Sequence, residues 1–84
     1  MNSIRLPQDL PFLEFLRTPK NRYQMYKEFK DYSYPAILKK VEELEKGGFI
    51  KVVREEKGHG LKPIKYYELT EKGKKILEVY KEEV

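Results

Sequence analysis

The pair Gly47-Gly48 separates a helical pattern from an extended one, and this change of period constrains the fold most. Three apolar residues before it recur at the spacing of one helix face: Ile37, Val41 and Leu44. After it, residues 49–53 form a short β-branched run, and a second such run follows at 65–69, so the two runs can pair as strands. Glycine readily adopts the left-handed conformation that ends a helix. The sequence therefore predicts a helix followed by a β-hairpin, whose tip is the charged, glycine-rich stretch 54–63.

Two shorter helices are predicted ahead of this unit. The first spans about residues 7–16, with Asp9 as its N-cap candidate. The second spans about 22–30, because Asn21 and Gln24 stand three residues apart, as in a capping box. Its core face is expected to hold three aromatic residues at helical spacing, with Met25 beside them: Tyr23, Tyr26 and Phe29.

The helix before the glycine pair and a final helix complete the pattern. Ser33 is a strong N-cap residue, and Pro35 falls in the first turn after it. Thr70 is expected to cap a last helix that ends at about Glu82. This last helix carries an apolar seam of four residues: Ile76, Leu77, Tyr80 and Val84. The predicted order is helix, helix, short turn, helix, hairpin and helix, which is an α+β arrangement.

Length and composition limit the alternatives. The 84 residues fit one domain over 1–84 and leave little room for a separate effector domain. The chain has no Cys, and His59 is its only histidine, which excludes disulfides and a zinc site of the Cys/His type. No apolar run reaches the roughly 18 residues that span a bilayer, and the N-terminus lacks a signal-peptide core, so a cytoplasmic location is expected. Abundant Lys and Glu with few Asn and Gln are typical of thermophile sequences.

The residue inventory argues against catalysis. The sequence contains no Gly-rich phosphate loop, nucleophile elbow or metal-ligand cluster. The acidic pairs Glu42-Glu43 and Glu55-Glu56 are adjacent residues, whose side chains point in different directions and cannot serve one site. We therefore expect no enzymatic activity, no cofactor, no metal and no small-molecule ligand.

Positive charge is concentrated in two segments. The formal net charge is +4. Residues 18–40 contain six basic and two acidic residues, residues 51–65 contain five and two, and the remainder is net negative. These segments coincide with the predicted second and third helices and with the hairpin. A polyanion such as DNA is the partner that this distribution favours.

Two runs resemble winged-helix transcriptional regulators. Residues 33–50, SYPAILKKVEELEKGGFI, are similar to a recognition helix and its following strand. Residues 67–77, YELTEKGKKIL, are similar to the strand-to-helix signature of PadR-like, MarR-like and related archaeal regulators. With the hairpin, the resemblance covers about two-thirds of the chain. It implies a winged helix-turn-helix fold, with three helices followed by a two-stranded wing and a C-terminal helix.

The resemblance also implies which residues meet DNA. The recognition helix spans about 34–46 and enters the major groove, while the wing at about 54–64 lies on the backbone or minor groove. Four residues oppose the buried stripe and face the groove: Tyr34, Pro35, Leu38 and Lys39. Lys40 flanks the stripe and is expected to meet a phosphate. The complete set of expected DNA-binding residues is Arg22, Ser33, Tyr34, Pro35, Leu38, Lys39, Lys40, Arg54, Lys57, His59 and Lys62.

Alternative interpretations apply at several of these positions. A small rotation of the helix would make Leu38 a core residue. Tyr23 and Tyr26 match a buried face better than a base-stacking role, whereas Tyr34 is the best candidate for a contact. The wing lysines are either phosphate contacts or part of a solvated loop. His59, flanked by glycines, is most simply an exposed loop residue.

The expected function is that of a sequence-specific, double-stranded DNA-binding transcriptional regulator. A homodimer through the first and last helices is expected, because the apolar residues of the first helix occupy an arc too wide for so small a domain to bury alone: Leu10, Phe12, Leu13, Phe15 and Leu16. The alternative is that the two helices pack only on each other within one subunit. Such a dimer would present two recognition helices to half-sites about 10 bp apart. The alternatives are a winged-helix protein–protein interaction module of a larger transcription or replication assembly, and a non-specific DNA-coating protein.

Overall fold

The computed structural model describes residues 9–58, 60 and 62–82. The elements follow in the order α1 (Leu10–Phe15), α2 (Arg22–Glu28), α3 (Tyr34–Lys46), β1 (Ile50–Lys57), β2 (Pro63–Leu69) and α4 (Glu71–Glu82). The two strands pair antiparallel. The predicted α+β winged-helix arrangement is confirmed.

Local capping signals set the helix boundaries where the sequence indicated. The Asn21 side chain accepts from the Gln24 N–H at 2.8 Å, and the Gln24 side chain accepts from the Asn21 N–H at 2.8 Å, which completes the capping box. Ser33 Oγ accepts from the Ala36 N–H at 3.3 Å. Gly48 has φ +80°, the left-handed conformation expected after α3.

Asp9 occupies the N-cap position of α1 but does not cap it. Its backbone is helical, and its side chain makes no capping hydrogen bond. The carboxylate is buried instead and lies 2.8 Å from Lys40 Nζ. The N-cap prediction for this side chain is therefore wrong, because an ion pair with α3 holds the carboxylate.

The hairpin is longer than the sequence predicted. β1 continues through the charged residues 54–57, and β2 already begins at Pro63. The far end of a two-stranded ribbon needs no apolar face, since the strands pair along their inner edges and their outer backbone groups bond to water. The polar composition of this stretch therefore does not prevent strand formation.

The segment between α1 and α2 forms an isolated antiparallel bridge with β2 of the wing. The Lys20 N–H donates to the Tyr67 carbonyl at 3.0 Å, and the Tyr67 N–H donates to the Lys20 carbonyl at 2.8 Å. The Leu69 N–H donates to the Leu16 carbonyl at 3.0 Å. These bonds fix the base of the wing against the segment that leads into α2.

One hydrophobic core joins all the elements. Its buried members are Phe12, Leu13, Leu16, Met25, Ile37, Val41, Leu44, Phe49, Ile50, Tyr67, Leu69 and Leu77. The predicted α3 stripe is thus confirmed. The idea that one domain cannot bury the apolar arc of α1 is wrong, because three of its residues lie in the core and Leu10 and Phe15 are half-buried against it. The Phe29 ring covers part of this arc, since its centroid lies 4.2 Å from that of the Phe12 ring and 5.6 Å from that of the Phe15 ring.

The buried face of α2 differs from the prediction. Met25 is buried and Phe29 packs against the core, whereas Tyr23 and Tyr26 are 59% and 39% exposed. Met25 and Phe29 are four residues apart and take the inner side of this two-turn helix. Tyr23 and Tyr26 lie on the adjacent, exposed face of the helix, so the core position predicted for them from helical spacing is wrong.

Two further findings concern the described residues only. None of their helices has the length and apolarity to cross a membrane. They also contain no group of three or more potential metal ligands. Val84, the last residue of the predicted α4 seam, lies outside the described residues.

Candidate nucleic-acid interface

The face of α3 opposite the core is open at its N-terminal end. Tyr34 is 40% exposed, and Pro35 and Lys39 are also exposed. No ion pair between described residues includes Lys39. Ser33, which was expected to contact DNA, is exposed, and its hydroxyl caps α3. The side chains of Tyr34, Pro35 and Lys39 are therefore accessible for contact with a ligand.

Charge is distributed unevenly along α3. Lys39 and Lys40 lie in its first half, whereas its second half holds Glu42, Glu43 and Glu45 against the single cation Lys46. The partial positive charge of the helix N-terminus adds to this asymmetry. The first turns of α3 therefore attract a polyanion more strongly than its second half does.

Lys40 does not belong to this open face. Its ammonium group lies on the buried Asp9 carboxylate at 2.8 Å and near Glu43 at 3.9 Å. Only 18% of its side chain is exposed. The structure thus places this expected phosphate contact in an internal ion pair between α1 and α3.

Leu38 lies between the two environments that the sequence allowed. It is half-buried and lines a surface groove at the wing base, together with Arg22, Glu42, Glu45, Lys65 and Tyr67. It is not a member of the buried core. Its side chain therefore stays accessible at the border of α3 and the wing.

Arg22 brings a cation into the same groove. It is half-buried at the start of α2, close enough to the Tyr67 phenol to influence its ionisation. Burial raises the pKa of Tyr67, the Arg22 charge lowers it, and the Glu45 charge raises it. Burial dominates, so Tyr67 stays neutral at physiological pH beside these two charges.

A β-bulge decides which wing residues face α3. The register shifts between Val52 and Arg54, so Arg54 pairs with Tyr66 rather than continuing the core-facing alternation. Arg54 lies over the Tyr66 ring at 4.2 Å and pairs with Glu56 at 3.3 Å. Alternation puts these three on the wing face directed away from α3. The expected DNA contact Arg54 is therefore separated from the α3 face.

Lys57 and Lys65 belong to the other wing face. Lys65 shares the alternation of Tyr67 and Leu69, which point to the body, and Lys57 pairs with Pro63 on that same face. Lys57 and Lys62 surround the wing tip with Gly58 and Gly60. All three lysines are exposed, and none forms an ion pair with a described residue. His59 lies outside the described residues.

A second groove shows what the sequence analysis missed. It has a volume of about 280 Å³, lies between the starts of α2 and α3 and the wing, and is lined by Asn21, Arg22, Tyr23, Tyr34, Pro63, Ile64 and Lys65. Lys65 and Tyr23 were not expected in a site. Lys65 could have been found from the sequence, because it shares one strand face with the apolar residues 67 and 69. Tyr23 could not, because its helical spacing predicted a core position.

Solved structures of two bacterial regulators are similar to this chain. A PadR family transcriptional regulator from Eggerthella lenta DSM 2243 matches with a TM-score of 0.76 and 25% identity, over 90% of this chain and 70% of that one. Bacillus subtilis PadR in complex with operator DNA matches with a TM-score of 0.76 and 23% identity, over 89% of this chain and 46% of that one. No protein-family model and no curated protein matches the chain. The winged-helix fold implied by the sequence resemblance is thus confirmed.

Proposed function

We propose that this protein is a sequence-specific, double-stranded DNA-binding transcriptional regulator. The observation that carries the proposal is that exposed Tyr34, at the start of α3, and exposed Lys65 of the wing line one groove. An α-helix fits the major groove, and the wing then reaches the adjacent backbone or minor groove. The similar Bacillus subtilis PadR, solved in complex with operator DNA, supports binding to an operator.

Base contacts are assigned to the first turns of α3. Tyr34 and Lys39 are exposed there, Tyr34 with its ring packed edge-to-face against Tyr26, and Leu38 offers an apolar surface suited to a thymine methyl group. Pro35 and Ser33 complete the edge that enters the groove. The acidic second half of α3 keeps the helix from lying flat along the phosphates.

Phosphate contacts are assigned to the cations around this edge. Arg22 and Lys65 lie at the wing base, and Lys57 and Lys62 lie at the tip. Such contacts set affinity and register but carry no sequence information. We leave Lys40 and Arg54 out of the interface, since the first is held by Asp9 and the second faces away from α3.

We further propose that the protein acts as a homodimer through its first and last helices. The last helix supports this more strongly than the first. Val79 is 50% exposed on α4, and the neighbouring Ile76 and Tyr80 are only half-buried. We assign no catalytic activity, in keeping with the two similar proteins, which are transcriptional regulators.

The test is a selection from random duplexes, followed by fluorescence anisotropy with the selected site in excess competitor DNA. Tyr34→Ala and Lys39→Ala are each expected to cost about 1–3 kcal/mol and to change the base preference. Lys75→Ala on α4 is the control for lost charge and is expected to bind as the unmodified protein does. Unchanged affinity and preference in both α3 variants would exclude this helix from recognition. Binding without any preferred site would indicate a DNA-coating protein, and absence of binding an interaction module.

A further inference from the structure

Exposed aromatic surface gathers on one side of the helix-turn-helix. Tyr23 and Tyr34 line the groove between the helices and the wing, and both are more than a third exposed. Tyr26 packs edge-to-face on Tyr34, with the ring centroids 5.4 Å apart and the rings at 85°. None of these residues belongs to the buried core. The fold therefore keeps an apolar, ring-lined surface in solvent for which core packing provides no reason.

The same groove is cationic. Arg22 and Lys65 line it, and neither forms an ion pair with a described residue. The Lys27 ammonium lies 5.5 Å from the centroid of the Tyr23 ring and adds a third positive charge at its border. An apolar protein segment would leave these cations without partners. The groove instead suits a ligand that combines a flat ring with an anion.

We propose that this groove binds one unpaired nucleotide. Its base stacks on the ring of Tyr23, which the proposed duplex contacts do not use, and its phosphate lies between Arg22 and Lys65. Aromatic side chains bind unpaired bases through their faces, which a duplex hides within its stack, whereas the major groove offers only base edges. The site thus goes beyond the proposed duplex recognition, and it places an opened base or a single-stranded tail next to the bound duplex.

The test compares three fluorescent DNA probes by anisotropy. They are a flush-ended duplex of the selected sequence, the same duplex with a five-thymidine tail at each end, and a single-stranded oligothymidine. We expect the tailed duplex to bind about tenfold more tightly than the flush duplex, in the range that one stacked base contributes. Tyr23→Leu removes this ratio and Tyr23→Phe retains it, because only the second variant keeps the ring. Tyr66→Leu, on the other face of the wing, is the matched control and retains the ratio.

Several outcomes would overturn the site. Equal affinities for the tailed and flush duplexes would do so, and so would a ratio that survives in Tyr23→Leu. If the unmodified protein binds no duplex, the proposed regulator function fails separately, and the groove is then judged by oligothymidine binding that is lost in Tyr23→Leu and kept in Tyr23→Phe. Thymidine monophosphate, added as competitor, identifies the source of the ligand. Displacement of the tail at micromolar nucleotide indicates a free nucleotide, and resistance indicates a base held in a strand.

Discussion

Replacement of Gly73 by alanine tests how closely α4 approaches the hairpin. A Cβ atom at this position would lie 2.3 Å from the Phe49 carbonyl oxygen and 3.1 Å from a methyl carbon of Leu69. Both neighbours are held in place. The Phe49 carbonyl accepts from the Thr70 N–H at 3.0 Å, and Leu69 is buried. Only glycine allows the first turn of α4 to lie this close to the start of β1.

The free-energy change follows from that geometry. Ordinary contact begins at 3.4 Å, so the helix must shift by about 1.1 Å relative to the Phe49 carbonyl. An overpacked site of this kind costs about 1–3 kcal/mol. Loss of the Thr70–Phe49 hydrogen bond adds about 1 kcal/mol. The better helix propensity of alanine returns about 1 kcal/mol. The expected net loss is therefore about 1–3 kcal/mol, whereas glycine-to-alanine changes inside exposed helices stabilise.

The measurement is thermal and urea unfolding followed by circular dichroism. In a domain of this size the melting temperature of Gly73→Ala should fall by roughly 5–20 °C. Lys75→Ala, two residues further along α4 and exposed, should change the stability by less than about 0.5 kcal/mol. A Gly73→Ala variant as stable as the unmodified protein would refute the close approach of α4 to β1.

Two further predictions concern the proposed interface and dimer. The double variant Lys57→Ala/Lys62→Ala should bind all duplexes more weakly and lower the slope of log affinity against log salt by about 2. Anisotropy at roughly five salt concentrations, from about 50 to about 300 mM, measures this slope. An unchanged slope would mean that the wing tip stays in solvent. Tyr80→Glu should shift the protein towards monomer in light scattering, because a charge enters the apolar surface of α4, while Tyr80→Phe should not. A monomer for the unmodified protein at tens of micromolar, with and without DNA, would contradict the dimer.

The sequence predicted the elements whose signals are local. The Asn21 capping box, the Ser33 and Thr70 caps and the Gly48 terminator each depend on residues within one helical turn, and all occur in the structure. The α3 stripe is similarly local. Because these signals fix where helices begin and end, the order of elements and the winged-helix fold were predictable.

The parts of the site that the sequence did not reveal depend on distant contacts. The bulge after Val52 carries no glycine or other local signal, yet it turns Arg54 away from α3. The Lys20–Tyr67 bridge joins residues far apart in the chain. The exposure of Tyr23 depends on which of two adjacent helical faces meets the core, and spacing alone does not decide that. These contacts assemble the aromatic groove, which therefore emerged only from the structure.

The internal ion pair of Lys40 yields the last prediction. Its ammonium group lies 2.8 Å from the Asp9 carboxylate, which is 1% exposed, so Lys40→Met leaves that carboxylate buried without this cation. Removal of one partner of a buried pair costs about 3–5 kcal/mol, and we expect about 3 kcal/mol because Lys40 is partly exposed.

Urea unfolding should show this loss as a fall in the midpoint of roughly 2–3 M. Lys39→Met is the matched control, because it removes the same charge one residue away, from the exposed face. It should leave the midpoint unchanged and change the base preference of DNA binding, whereas Lys40→Met should leave DNA binding unchanged. The double variant Asp9→Leu/Lys40→Met should recover most of the stability, since an apolar pair replaces a buried ion pair at little cost. If Lys40→Met instead keeps the normal urea midpoint and lowers the salt slope of DNA binding by about 1, Lys40 contacts a phosphate and belongs to the DNA interface.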